Sequence, residues 1–347
     1  MTDQNAPGAR HPDYIRAVFE RAVTMIQAGR LDGADVLLKT LSGEPSTEEA
    51  VAYLRGVIAA RLGEREAALS LFTTALELNP HNADGHAQLG ALLLLEQRPV
   101  SAAAAFAAAL ALDAGRGDWH FGFAEALRRL GFSDLASVSF DEARARGHAE
   151  AEQAAGLCAQ EEAREIADLA PADEALLCDA LFSEATRRLC AGDPTRAKAI
   201  FERVLKRAPS HLFTLCNLGA LERAQDLAQS QTLLERAVEV DAAFVPARLA
   251  LAETLVAAGR AREARAQFAK AIELEPQSAA PHAAYAMALQ KLRAPKEAIE
   301  HFHRAIMIDQ NQPAEFYASL GAALEAMGMR DRAEVALQHA AALAQAS

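Results

Sequence analysis

Apolar residues recur along this chain at helical spacing, and the helical stretches come in pairs. The pairs repeat. In an Ala-x-x-x-Phe-x-x-Ala frame the segments AALSLFTTALELNP, SAAAAFAAALALDA, DLASVSFDEARARG, RAKAIFERVLKRAP, EARAQFAKAIELEP and EAIEHFHRAIMIDQ align. Phe72, Phe106 and Phe140 stand 34 residues apart, as do Phe268 and Phe302. A second helical pattern precedes each segment, and its eighth position is small: Gly56, Gly90, Gly219 and Gly321, or Ala22, Ala124, Ala185, Ala252 and Ala286. Two helices approach closely where no large side chain separates their backbones, and the phenylalanine fills the space between successive units. One such unit cannot bury its own apolar face, so its stability must come from its neighbours. The pattern predicts nine helix-turn-helix units, starting near Ile15, Glu49, Ala83, Gly117, Cys178, Leu212, Val245, Ala279 and Ala314.

These residues resemble the tetratricopeptide repeat, a 34-residue helix-turn-helix unit with recurrent small, aromatic and proline positions. The unit at Glu49 carries the pattern on Gly56, Ala68, Phe72, Ala75 and Pro80, and the unit at Val245 on Leu251, Ala264, Phe268, Ala271 and Pro276. The resemblance covers almost the whole chain and implies an all-α, right-handed superhelical solenoid of about nine repeats. The expected organisation is a tail over 1–14, a first block of four repeats over 15–150, an acidic irregular helical connector over 151–177, and a second block of five repeats over 178–347. Within the connector, AEQAAGLCAQEEAREIADLA reads as one amphipathic helix ended by Pro171. The alternative is a degenerate repeat packed in line.

Composition narrows the partners. Alanine and leucine supply much of the 51% apolar content, and the 5% aromatic share leaves few strand formers. The net charge of −12 lacks the basic stripe that a nucleic acid or an anionic membrane would require. No apolar run is long enough to insert in a bilayer. Four cysteines without a CxxC pair suit a reducing compartment, so a cytoplasmic location is expected. Arginine far outnumbers lysine, which hints at a GC-rich bacterial source.

Chemistry is sparse. No P-loop, GxGxxG after a strand, GxSxG or HExxH is present. His301 and His303 lie two apart and do not share a helical face, so they are poorly placed to hold one metal ion. Paired acids such as Glu161 and Glu162 read as solvated helix faces. The expectation is a protein without catalytic residues, cofactor or metal.

Function is then sought on the inner surface. In the resembled family the second, fifth, ninth, twelfth and thirteenth positions of each first helix face a concave groove. Here Phe19, Tyr53, Phe121 and Phe182 stand at fifth positions and Phe213 at a second. Aromatic residues exposed in a groove bury much area at low entropic cost, so these are the expected anchors for a peptide or helix of a partner protein. Asn217 at a sixth position, and Arg128 and Arg129 at twelfth and thirteenth, would add polar contacts. Two binding modes of the family are not matched. A carboxylate clamp centred on Asn217 would need Lys and Asn where Phe182 and Thr186 stand, and Lys and Arg where Pro246 and Ala250 stand. A lone Asn217 is no asparagine ladder. A scaffold or adaptor is the leading reading. A substrate-recruiting or regulatory subunit of a separately encoded glycosyltransferase-like enzyme is the second, and an assembly chaperone for an exported protein the third. Ala336, Leu337, Ala340 and Leu343 could leave an apolar surface at the last helix, so self-association through the C-terminal end is also expected.

Overall fold

The computed structural model describes residues 11–158 and 166–346, and all regular structure among them is helical. The chain forms two compact units, one through Asp193 and one from Pro194. The first holds four antiparallel hairpins: α1 (Pro12–Gln27) with α2 (Leu31–Lys39), α3 (Glu48–Leu62) with α4 (Arg65–Leu78), α5 (Ala83–Leu95) with α6 (Pro99–Leu112), and α7 (Gly117–Arg129) with α8 (Ser133–Ala145). It continues with α9 (Ala151–Cys158) and α10 (Pro171–Cys190). The second unit opens with α11 (Pro194–Arg207), which packs on α12 (Leu212–Glu222). Four hairpins follow: α12 with α13 (Leu227–Val240), α14 (Val245–Ala257) with α15 (Ala261–Leu274), α16 (Ala279–Lys291) with α17 (Pro295–Ile308), and α18 (Ala314–Ala326) with α19 (Arg330–Ala346).

The recurrent small and large positions meet inside one hairpin. A Cβ added to Gly56 would lie 2.8 Å from the Phe72 ring. Phe72 is fully buried, as are Phe140, Phe268 and Phe302 at the same place in their repeats. The phenylalanine also reaches the next unit: a Cβ on Gly122 would fall 2.2 Å from Phe106. The turn between paired helices needs a left-handed residue. Gly63 supplies it at φ 80°, and Gln97 and Arg293 adopt φ 57° and 55° at the equivalent point.

Beyond α8 the repeat register persists for one more helix. Ala151 stands 34 residues after Gly117, α9 packs on α8, and Cys158 takes the small eighth position. Its buried thiol donates to the Ser133 carbonyl at 3.1 Å. The single helix expected to run to Ala170 does not form as expected at its far end. Residues 166–170 are non-helical, and the Ile166 N–H donates to the Leu130 carbonyl at 3.0 Å. The part of that expected helix over 159–165 lies outside the described residues. Pro171 begins α10 rather than closing its predecessor, since proline loses nothing at a first helical position.

Helix α10 packs along α6 and belongs to the first unit, whose limit falls beyond the expected border at 177/178. This explains the alanine run of α6. Ala102, Ala103, Ala105, Ala107 and Ala109 are all buried, together with Val100, Phe106 and Leu110. A helix apolar all round must be covered all round, and alanine lets the covering helix come close.

Candidate functional site

The first helices of successive hairpins adjoin one another within each unit, α3 with α5 and α7, then α12 with α14, α16 and α18. This face carries most of the anticipated anchors. Phe19 is half-buried against the cluster around Val18, Ala22 and Ile26. Tyr53 leans on Phe72 with centroids 6.1 Å apart. Phe121 stacks on His148 at 4.1 Å and meets the edge of Phe140 at 5.3 Å. Arg128 and Arg129 both bind Glu125, at 2.8 Å each, and Arg129 also donates to the Leu94 carbonyl at 2.9 Å. Burial alone would raise the Glu125 pKa, but these two arginines outweigh it and hold the carboxyl low. Phe182 is half-buried on α10, which packs on α6 and stands outside the row of paired first helices.

In the second unit Phe213 is 53% exposed and sits edge-on to Phe244 at 5.6 Å. One turn later the Asn217 amide donates to the Phe213 carbonyl at 2.8 Å. On the neighbouring helix Glu253 accepts from Arg223 at 2.5 Å. Burial pushes the nearby Cys216 thiol up to about 11, so it stays a neutral, weakly nucleophilic group. The structure thus brings together Phe213 with Asn217, and Arg128 with Arg129.

A charge cluster that sequence reasoning missed ties α10 to the first unit. Glu142 on α8 accepts from Arg187 at 2.7 Å and from Arg188 at 2.9 Å, and its Oε2 lies 3.0 Å from His120 Nδ1. Glu184 binds the same two arginines at 2.8 and 2.6 Å. Burial raises the Glu142 pKa, yet His120 and the two arginines prevail and lower it to about 2. Glu184 with Arg187 and Arg188 is visible in the sequence as a helical spacing. Their partner, some 45 residues earlier, is not.

A second surface is formed by the second helices of the hairpins. Between consecutive second helices runs a groove floored by the fourth, seventh and eleventh residues of the first helix below. Between α4 and α6 it is an apolar hollow of about 550 Å³, floored by His86, Leu89 and Leu93, with Leu176 of α10 on its wall. Between α17 and α19 it measures about 660 Å³, floored by Tyr317, Leu320 and Leu324. Between α15 and α17 an Arg265–Glu297 ion pair spans it. No described helix is long and apolar enough to cross a membrane.

Stacked helical hairpins of this kind, offering extended faces and no catalytic constellation in the sequence, define a protein-interaction scaffold. Tetratricopeptide-repeat models match residues 53–117, 221–292 and 255–324. The chain belongs to the tetratricopeptide-repeat family. No curated protein matches it. Among solved structures it is similar to MamA, at 22% identity over 46% of this chain and 94% of that one, with a TM-score of 0.39. It is also similar to MamA 41-end from Desulfovibrio magneticus RS-1, at 13% identity, 49% and 96% coverage and a TM-score of 0.41. YrrB, described as a TPR protein with an unusual peptide-binding site, aligns at 17% identity over 59% of this chain and 92% of that one, with a TM-score of 0.32.

Proposed function

We propose that this protein is a non-enzymatic adaptor that holds an apolar peptide or helix of a partner against its first-helix face. The observation that carries the reading is Phe213, a phenylalanine more than half exposed on that face and braced by Phe244. A rigid, exposed aromatic ring is the kind of residue from which interfaces draw most of their energy. Asn217 lies within a turn of it, and the Arg223–Glu253 pair supplies polar groups on the same face. Phe19, Tyr53 and Phe121 are already half-covered, so they present ring edges and contribute less to the same partner.

The test uses full-length protein and a Phe213→Ala variant as parallel baits, with captured proteins quantified by mass spectrometry. An exposed site tolerates the change, so helical content should persist. The proposal expects a partner retained by the parent chain and depleted about tenfold or more by the variant, as for a hot spot of 1.4 kcal/mol or above. Identical capture by both baits refutes the anchor. The identity of the depleted partner separates the variants of this reading: a glycosyltransferase-like enzyme marks a recruiting subunit, and an exported protein marks an assembly chaperone.

A further inference from the structure

The grooves between second helices are equivalent by the repeat, and one of them shows what fills such a groove. Helix α10 lies along α6 and sends Arg187 and Arg188 to Glu142 on α8, so it covers the α6–α8 groove. The floor beneath is His120, Phe123 and Leu127, all fully buried. Those are the fourth, seventh and eleventh residues of α7, the positions that Tyr317, Leu320 and Leu324 hold in α18. The α17–α19 groove therefore has the form of a helix-covered groove without its helix.

Its walls say which helix would fit. Val335 stands 67% exposed on α19 beside the groove, and Met307 is 77% exposed one turn beyond His303 on α17. The other groove of this pair of hairpins, between α15 and α17, is closed by Arg265 and Glu297. The charges are reversed relative to the covered groove. There the twenty-sixth residue of the repeat is Glu142, and the seated helix meets it with arginines. Here the twenty-sixth residue is His339, with Arg332 and His303 beside it and Asp331 as the one acid.

We propose that the α17–α19 groove is a second docking site, which receives an acidic amphipathic helix of a partner protein. Leucines of that helix pack on Tyr317, Leu320 and Val335, and its glutamates face Arg332 and His339. The site lies on the second-helix face, so it stands or falls separately from the Phe213 reading.

The probe is a fluorescein-labelled synthetic helix of about four turns, with a leucine stripe flanked by glutamates. It is titrated against the full chain by anisotropy. A twin peptide with lysine in place of each glutamate is the control. The proposal expects saturable binding of the acidic peptide and at least tenfold weaker binding of the basic one. Val335→Asp, at an exposed position, should weaken the acidic peptide tenfold or more with unchanged circular dichroism. Arg332→Glu should narrow or reverse the preference between the two peptides. Failure of the acidic peptide to bind overturns the proposal. So does binding that survives Val335→Asp, or that is lost instead with Thr73→Asp in the α4–α6 groove. A concentration-dependent mass that Val335→Asp abolishes, without any effect on the peptide, would assign the groove to a second copy of the chain and also overturn it.

Discussion

Helices α6 and α17 hold the same place in their hairpins but have opposite surroundings. On α6 the outward positions are Ala103 and Ala107, 0% and 5% exposed under α10. On α17 the same positions are Ile299 and the exposed His303, with Met307 projecting beyond them. The repeat fixes which residues face the partner helix within a hairpin. It leaves the outer face free to diverge, and whatever covers that face decides its composition. Alanine marks a face on which a helix is permanently seated. Isoleucine, methionine and histidine mark one that remains open.

The largest expected effect comes from placing one charge at these two equivalent positions. Ala103→Glu buries a carboxylate in the α6–α10 seam and should cost about 3 kcal/mol or more. His303→Glu stays in solvent and should change stability by no more than about 0.5 kcal/mol. Trp119, the single tryptophan, is buried in α7 and reports the first unit by fluorescence. Urea titrations of both variants, followed by Trp119 and by circular dichroism, check the pair. Equal losses would mean that α10 does not seal α6.

Glu142→Ala is expected to come next, at about 2–3 kcal/mol, because it strands Arg187 and Arg188. The cost falls short of that for a dry ion pair, since 21% of the Glu142 side chain still reaches water. The pH dependence has a definite sign. The folded pKa, about 2, lies below the ordinary carboxylate value of 4.5. The stabilisation is therefore complete above 4.5 and is lost as the pH falls towards 2. Trp119-monitored unfolding of the parent should weaken over that window, and the variant should show a shallower slope.

Several of these features were legible in the sequence for plain physical reasons. The contact between Gly56 and Phe72 is local, repeated and volume-dependent, so the spacing alone exposes it. Pro171 misled because proline both ends and begins helices, and only the next residues decide which. The path of α10 was hidden because its contacts with α6 and Glu142 cross some 45 residues or more and depend on where the chain turns back. One sign was available: a helix as uniformly apolar as Ala102–Leu112 cannot have a solvent face. The surface residues were hardest. Phe121 and Phe213 look alike as helix-face aromatics, and only the structure shows His148 stacked on one and half of the other left bare.

The smallest expected effect separates the two units by pH. In the second unit His282 and His301 face each other with Nδ1 atoms 2.9 Å apart, between α16 and α17. Burial lowers both pKa values. The neighbouring ring and Arg304 push His282 further down, while Glu297 and Glu300 partly oppose the shift at His301. Both groups thus fold in the neutral form. Above the unfolded histidine pKa of about 6.5 neither state binds the proton and the second unit keeps its full stability. As the pH falls below that value the unfolded chain takes up protons first, and stability declines. Glu142 does not respond until the pH is below 4.5. Hydrogen exchange read peptide by peptide at pH 7 and pH 5.5 should therefore show protection falling in α16 and α17 but held in α7 and α8, after correction for the intrinsic exchange rate. A His301→Gln variant should remove part of the difference. A parallel fall in both regions would mean that the two units answer to a common titrating group, and the His282–His301 contact would then not be the cause.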